Sequence, residues 1–453
     1  MKRSVGRFDR LVILIIAALV LGLAVVALVS STLGLRPPEL VRDEVGVRGP
    51  VGVRFSQAMQ LDSVQQRWHS EPPLTGRFSW DGQTLWFWPE WMLTPGTQVK
   101  FFLDAGAEGE DGQVIRKGAS WEVKIRATQV IYLSPTAGSS EIWRVDQDGL
   151  NARQITQTGG KVYDFSPAPD GESIVYTVEN SQQGNDIRMI DRNGENDRSV
   201  LACGADSCTQ PVISTDKMTI AYSRRRLSVV QGEAYSPDPR IWTLDLASGA
   251  TAALYQDPAV SGEDPSWSPD GKRLAFFDQA AHAIHVLDTT NGKDLLLRSQ
   301  LGVVGSWTAD GTQMWYGDLV SSETLPFGSA FKVDLNTDQV EGLFSDLQTQ
   351  EDLGVPDPNP DGSWVAIGVR YHSGSYSAQL MLIRPDGSDQ IDITDEFTYT
   401  HGAYSWDPSG TQILYQRIRI GSSTARPEIW IWDQASQKAR QIASDAALPA
   451  WLP

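Results

Sequence analysis

The chain repeats itself, and that constrains it more than any single motif. Asp264 to Asp278 reads DPSWSPDGKRLAFFD, and weaker copies stand at Val162–Val178, Gln210–Ser223, Val304–Asp318, Val355–Val369 and Ala403–Gln416. The copies lie roughly 40–54 residues apart, a period that belongs to solenoids, propellers and arrays. Each copy is an apolar strand, a Pro/Asp/Gly turn and a second apolar strand, which is the chemistry of a hairpin.

A third strand follows each hairpin. It reads EIWRVD from Glu141, DIRMID from Asp186, RIWTLD from Arg240, AIHVLD from Ala283, AFKVDL from Ala330, QLMLI from Gln379 and EIWIWD from Glu428. A polar turn and a short fourth strand come next, as in Ala152–Thr156 and Gln390–Thr394. Four strands per repeat make one propeller blade. No long stretch carries helical periodicity. The reading is therefore all-β, a seven-bladed β-propeller over 128–453, with six blades as the alternative if the proline-rich Val355–Pro360 breaks a repeat. Gln129–Pro135 matches a second strand, and Leu448–Pro453 matches a first strand with Trp451 where Trp267 stands. The C-terminal strand is thus expected to complete the first blade and leave no open sheet edge.

These motifs resemble the TolB-type propeller repeat, also found in the propellers of prolyl-oligopeptidase-like enzymes. SWSPDGKRLAFF is close to that consensus, whereas Thr215-Asp216-Lys217 departs from its Pro-Asp-Gly turn. The resemblance implies the fold and leaves the activity open, because a propeller hosts many functions.

Leu11–Val29 is an uncharged apolar run preceded by Lys2, Arg3, Arg7 and Arg10. Such a run is long enough to span a bilayer, and the flanking charges keep the N-terminus cytoplasmic and the bulk extracytoplasmic. The expected order is a cytoplasmic stub (1–10), a transmembrane helix (11–32), a linker (33–45), a small β domain (46–127) and the propeller (128–453). A cleaved signal peptide is the rival reading of the same run. The formal charge of −18 makes nucleic acid an unsuitable partner. Cys203 and Cys208, the two cysteines of the chain, are expected to form a disulfide in an exported protein.

Between linker and propeller, short strands are expected at Val51–Phe55, Thr75–Trp80, Thr84–Pro89, Thr97–Asp104 and Ser120–Arg126. That pattern suggests a β-sandwich. FSQAM from Phe55, TLWFWPEWMLTPGTQV from Thr84 and WEVKI from Trp121 resemble the bacterial Ig-like domain of surface proteins, which implies a spacer.

Catalytic chemistry is sparse. His282 and His285 form an HxxH, but on a strand such positions face opposite sides, so no metal is expected. There is no GxSxG nucleophile elbow, and the aspartate-rich turns suit hairpins as well as calcium. Neither a cofactor nor an enzymatic activity is expected. A propeller enzyme, a polysaccharide lyase or glycosidase with paired carboxylates such as Asp264 and Asp357, is one alternative. An accessory or sensor subunit of a membrane complex is the other.

Blade topology puts the tight turns on one face and the long, varied loops on the other. Elaborated loops on a rigid frame carry function. Those loops contribute Arg224, Arg225, Arg226, Tyr235, Phe327, Arg370, Tyr371, His372, Tyr376, Tyr399, His401, Arg417 and Arg419. Arginines and aromatics are the residue types enriched at binding hot spots. The expected function is a membrane-anchored module that recognises a protein or a cell-envelope glycan or other polymer on that face.

Overall fold

The computed structural model describes residues 12, 14–22, 35–90, 92–226, 228–230, 233–235, 238–320, 327–344, 351–371 and 377–453. The chain divides into two compact units, 1–126 and 127–453.

In the first unit, residues 14–22 are helical and exposed. Among the described residues no helix is long and apolar enough to cross a membrane. The rest of the apolar run that suggested a spanning helix, Leu11, Ile13 and residues 23–32, lies outside the described residues.

Two four-stranded sheets follow. One orders Glu39–Leu40, Val51–Arg54, Thr84–Pro89 and Gly76–Asp81; the other orders Glu44–Val45, Ala119–Ile125, Gln98–Leu103 and Trp68–Glu71. Alternation drives their packing: along Gln98–Leu103, Val99, Phe101 and Leu103 are buried while Gln98 and Lys100 are exposed. Val51 and Phe87 of the first sheet meet Val99, Phe101, Val123 and Ile125 of the second in one core. Trp68 lies among the rings of Phe78, Phe87, Phe101 and Trp121, with centroids 5.6–6.1 Å away. This is sheet-on-sheet packing. The stretch expected to be a linker, 33–45, is partly structural. Its residues 39–40 and 44–45 are strands because Leu40 and Val45 pack into that core.

In the second unit, Gln129–Ser134, Glu141–Asp146 and Arg153–Gln154 form a sheet whose fourth strand is Ala447–Leu452. Ala450 pairs with Ile131 and Trp451 with Val130. The next sheet is eight-stranded and consists of two antiparallel sets, 162–201 and 207–253, joined by one parallel pair, Asn185 with Ser207. Further sheets span 263–298, 306–343, 351–392 and 399–444. In the sheet of 351–392 the first strand is broken into Glu351–Leu353 and Asp357–Pro358, both pairing with Val365–Tyr371. Prolines 356, 358 and 360 account for the break, since proline cannot donate to a ladder.

Apolar cores form between successive sheets. One joins Ala275, Ile284 and Leu297 to Met314, Tyr316 and Val333. Another joins Val130, Tyr132 and Trp451 to Leu414, Ile429 and Ile431. First-strand tryptophans add a polar stitch. The indole N–H groups of Trp307, Trp406 and Trp451 donate to Ser266 Oγ (2.9 Å), the Asp357 carbonyl (3.1 Å) and the Ser405 carbonyl (3.1 Å), each in the preceding repeat at the same position of the motif. The first strands also carry register shifts, at Thr209/Val212, Glu263/Ser266, Gly402/Ser405 and Ala447/Ala450. There Gln210, Asp264, Ala403 and Leu448 adopt positive φ of 46–55°. Such bulges re-aim side chains, here near the starts of the first strands, at the long-loop face.

In four repeats the residue that opens the third strand has a common task that its varied identity conceals. Glu141 accepts from Thr156 Oγ1 (2.6 Å) and from the amides of Thr158 (2.7 Å) and Gly160 (2.8 Å). Asp186 accepts from the Cys203 amide at 2.8 Å, and Arg240 donates to the Asp257 carbonyl at 2.9 Å. Gln379 accepts from Thr394 Oγ1 (2.9 Å) and the Glu396 amide (3.0 Å). Each ties down the connection that leads from one set of strands to the next.

Candidate functional site

A cavity of about 640 Å³ opens on the long-loop side of the second unit. Three sheets build it. Residue 306 begins a first strand and 304 precedes it, 352–357 and 368–370 come from the broken first strand and its neighbour, and 401, 403 and 404 from the following first strand. Its walls are mixed: Leu301, Val304, Leu319 and Leu353 are apolar, and Asp357, Arg370 and His401 are polar. Volumes of this order suit small organic groups or a few amino-acid side chains.

Tyr404 fixes the cavity floor. Its hydroxyl donates to the Val355 carbonyl and accepts from the Gly368 amide at 2.8 Å, so the tyrosine bridges the break in the first strand of the neighbouring sheet to Val365–Tyr371. Asp357 is half-buried and accepts from the Trp406 amide at 3.0 Å. Burial pushes its carboxyl up to about 6, against the opposing hydrogen bonds from Trp406 and Ser306. His401 is 5% exposed. Its Nδ1 lies 3.0 Å from the Ala378 carbonyl, which can only accept, so Nδ1 carries the proton. Burial, reinforced by the charge of Arg417, lowers the pKa of this imidazole despite that bond, and it is neutral near pH 7.

The residues expected to form the binding surface divide into two groups. Arg370 and His401 line the cavity together. Arg370 is exposed at the end of Val365–Tyr371, and Tyr371 beside it is half-buried, its ring 6.0 Å from that of Phe397. Arg419 is exposed and Phe327 half-buried, each at the end of its strand. The side chain of Tyr235 and residues His372 and Tyr376 lie outside the description.

Five of the expected contacts are engaged within the fold instead. Arg417 is 8% exposed, bonded to Glu396 and Glu428 at 2.9 Å, with its guanidinium 4.1 Å from the Tyr399 ring centre and 3.9 Å from that of Trp430. A loop position suggested a solvated cation, but the strand extends to Arg419 and turns Arg417 inward. Tyr399 is correspondingly occupied as a face for that cation. Arg224 is held by Asp206 at 2.7 Å and lies 4.9 Å from the Trp242 ring centre. Arg226 covers the same ring at 5.0 Å, and Arg225 reaches Glu263 at 3.2 Å. These three belong to the 207–253 set and not to the cavity.

Sequence reading missed Tyr404 and Asp352 of the cavity. Asp352 lies in Glu351–Leu353 and Tyr404 in Tyr399–Trp406, and only the meeting of their sheets brings both to the cavity. Asp264 and Asp357, weighed as a carboxylate pair, flank one strand: Asp264 accepts from the Val304 amide at 3.4 Å, and Asp357 is hydrogen-bonded by Ser306. Only Asp357 lines the cavity.

Cys203 and Cys208 are joined in a disulfide, and both are buried. His285 is buried, with Nδ1 2.8 Å from Asp294 and Nε2 3.4 Å from Asp278, and its ring stacks on Phe276. His282 lies in the preceding turn at φ 49°. Among the described residues no group of three or more His, Cys, Asp or Glu side chains is placed to hold a metal.

No protein-family model matches the sequence. A peptidase of uncharacterised specificity from Bacillus subtilis, YuxL, is 25% identical over 217 residues, covering 46% of this chain and 29% of that protein. A TolB homologue from Chlorobium chlorochromatii is 23% identical over 149 residues, covering 33% of this chain and 31% of that protein. The chain thus spans under a third of the length of these curated relatives. Among solved structures, a puromycin hydrolase superposes with a TM-score of 0.51 at 15% identity, over 78% of this chain and 53% of that one. Likeness at this level speaks for the fold, and on that the sheets and the comparisons agree: the chain carries a TolB-like β-propeller.

Proposed function

We propose that this protein is a non-catalytic binding module, held at the outer face of a cell membrane by its N-terminal apolar run. On this reading the propeller has seven blades and recognises a protein or a cell-envelope polymer on its long-loop face. The small sandwich is an Ig-like spacer between membrane and propeller. One observation carries the reading: the cavity lies on the elaborated face, is built jointly by three repeats, and brings together Arg370 and His401 from the expected surface. A rigid, preformed concavity on a scaffold is the usual form of a binding site.

The test is affinity capture from detergent-solubilised envelope, using the tagged full-length chain and its Val303→Trp variant. Val303 lines the cavity and is 40% exposed, so the variant is expected to fold normally and to lose its partner. Undiminished capture would place recognition elsewhere. A second reading, an enzyme acting on polysaccharide, draws on Asp264 and Asp357 flanking one strand. It requires turnover of a cell-envelope glycan by the purified chain and its loss in Asp357→Asn.

A further inference from the structure

We propose that the cavity takes a basic side chain of a protein partner, an arginine or lysine flanked by apolar residues, with its cation set against Asp357. This rests on the binding reading above and names its ligand class.

Buried charges are normally paired with an opposite charge. Asp357 is held by hydrogen bonds alone, from the Trp406 amide and from Ser306, and no cation pairs with it among the described residues. It stands in the wall of a cavity large enough for a side chain. The groups around it do not supply the missing charge. Tyr404 has its hydroxyl committed to Val355 and Gly368. His401 has its proton on Nδ1, toward the Ala378 carbonyl, and its depressed pKa keeps the ring neutral. Arg370, the one arginine or lysine of the described lining, is exposed, where water and salt screen it. Leu301, Val304, Leu319 and Leu353 offer the apolar walls against which the methylene stem of a lysine or arginine packs while its head reaches a polar group. An entering cation would stabilise the ionised form of a carboxyl that burial otherwise disfavours. A neutral sugar would leave that charge uncompensated, and an acidic polymer would oppose it.

The experiment is calorimetric titration of the purified full-length chain with acetyl-Leu-Arg-Val-amide. Its uncharged isostere with citrulline in place of arginine, and a neutral cell-wall oligosaccharide, are the comparisons. The arginine peptide is expected to bind at least about tenfold more tightly than the citrulline peptide, the scale of one charge pair in a desolvated site. That advantage is expected to vanish in Asp357→Asn. Val303 lines the cavity and is 40% exposed, so Val303→Trp tests the location without touching the carboxylate and is expected to abolish peptide binding. If Asp357→Asn does not fold, Val303→Trp and the two peptides on the unaltered chain still decide. Equal affinity for the two peptides, binding indifferent to Val303→Trp, or binding of the oligosaccharide alone would overturn the proposal. Capture of an envelope partner that persists while the arginine peptide fails to bind would sink this inference and leave the binding reading standing.

Discussion

Trp451 stands opposite Val130 in an antiparallel pair, and its indole N–H donates to the Ser405 carbonyl of the neighbouring sheet at 3.1 Å. One residue thus serves two seams: its backbone extends the sheet that opens the repeat region, and its side chain fastens that sheet to the strands of 399–444. The same residue packs with Tyr132, Leu414 and Ile431. Cutting it back removes both the stitch and a large part of that core.

Trp451→Ala is expected to cost about 3–5 kcal/mol, the range for truncating a buried tryptophan. Urea unfolding followed by circular dichroism measures it. A shift below about 1 kcal/mol would mean that the indole and its packing contribute little to this seam.

Arg417 and Arg419 stand two residues apart on one strand and should behave oppositely. Arg417→Ala leaves Glu396 and Glu428 without their shared cation and uncovers Tyr399 and Trp430, so a loss of about 3 kcal/mol is expected. Arg419→Ala changes an exposed side chain and should stay within about 0.5 kcal/mol. Equal effects in the same denaturation assay would refute the distinction.

His285 gives a pH signature. Burial alone would lower its pKa, but its hydrogen bond to Asp294 and the charges of Asp294 and Asp278 outweigh that, and the net shift is upward. A base whose pKa is higher in the folded state stabilises fully below its unfolded value of about 6.5 and loses that contribution as pH rises through the folded value. The unaltered chain should therefore lose stability relative to His285→Gln as pH rises above about 6.5. Parallel Tm-against-pH curves for the two proteins would rule this out.

The disulfide closes a short loop between the two sets of the eight-stranded sheet. Replacing both cysteines by serine should lower stability by about 2 kcal/mol in the chain-entropy model. A reducing agent should do little to the folded chain at low denaturant, because Cys203 and Cys208 are buried. Rapid reduction of the native protein would contradict their burial.

The repeats were legible because each hairpin and third strand encodes itself locally, in the PDG turn of Pro269–Gly271 or the alternation of Glu428–Asp433. The strand pairing of Leu448–Pro453 with Gln129–Pro135 could be foreseen because each end carried half of one repeat. The anchoring of four connections by Glu141, Asp186, Arg240 and Gln379 was not legible: four different residue types do one job, and composition hides it. The cavity was hidden for another reason. Asp357 and Arg370 come from two strands of one sheet, and His401 and Tyr404 share a strand of the next, and nothing along the chain says that they converge. Arg224 and Arg417 misled because loop position says where a cation starts, not where its head points.

The most direct test of the binding face is hydrogen exchange on the full-length chain with and without its captured partner. Protection is predicted at 351–358, 368–371 and 399–404, the segments that build the cavity, with no change in the turns at 268–272 and 308–312 on the opposite face. Protection confined to those turns would contradict the account.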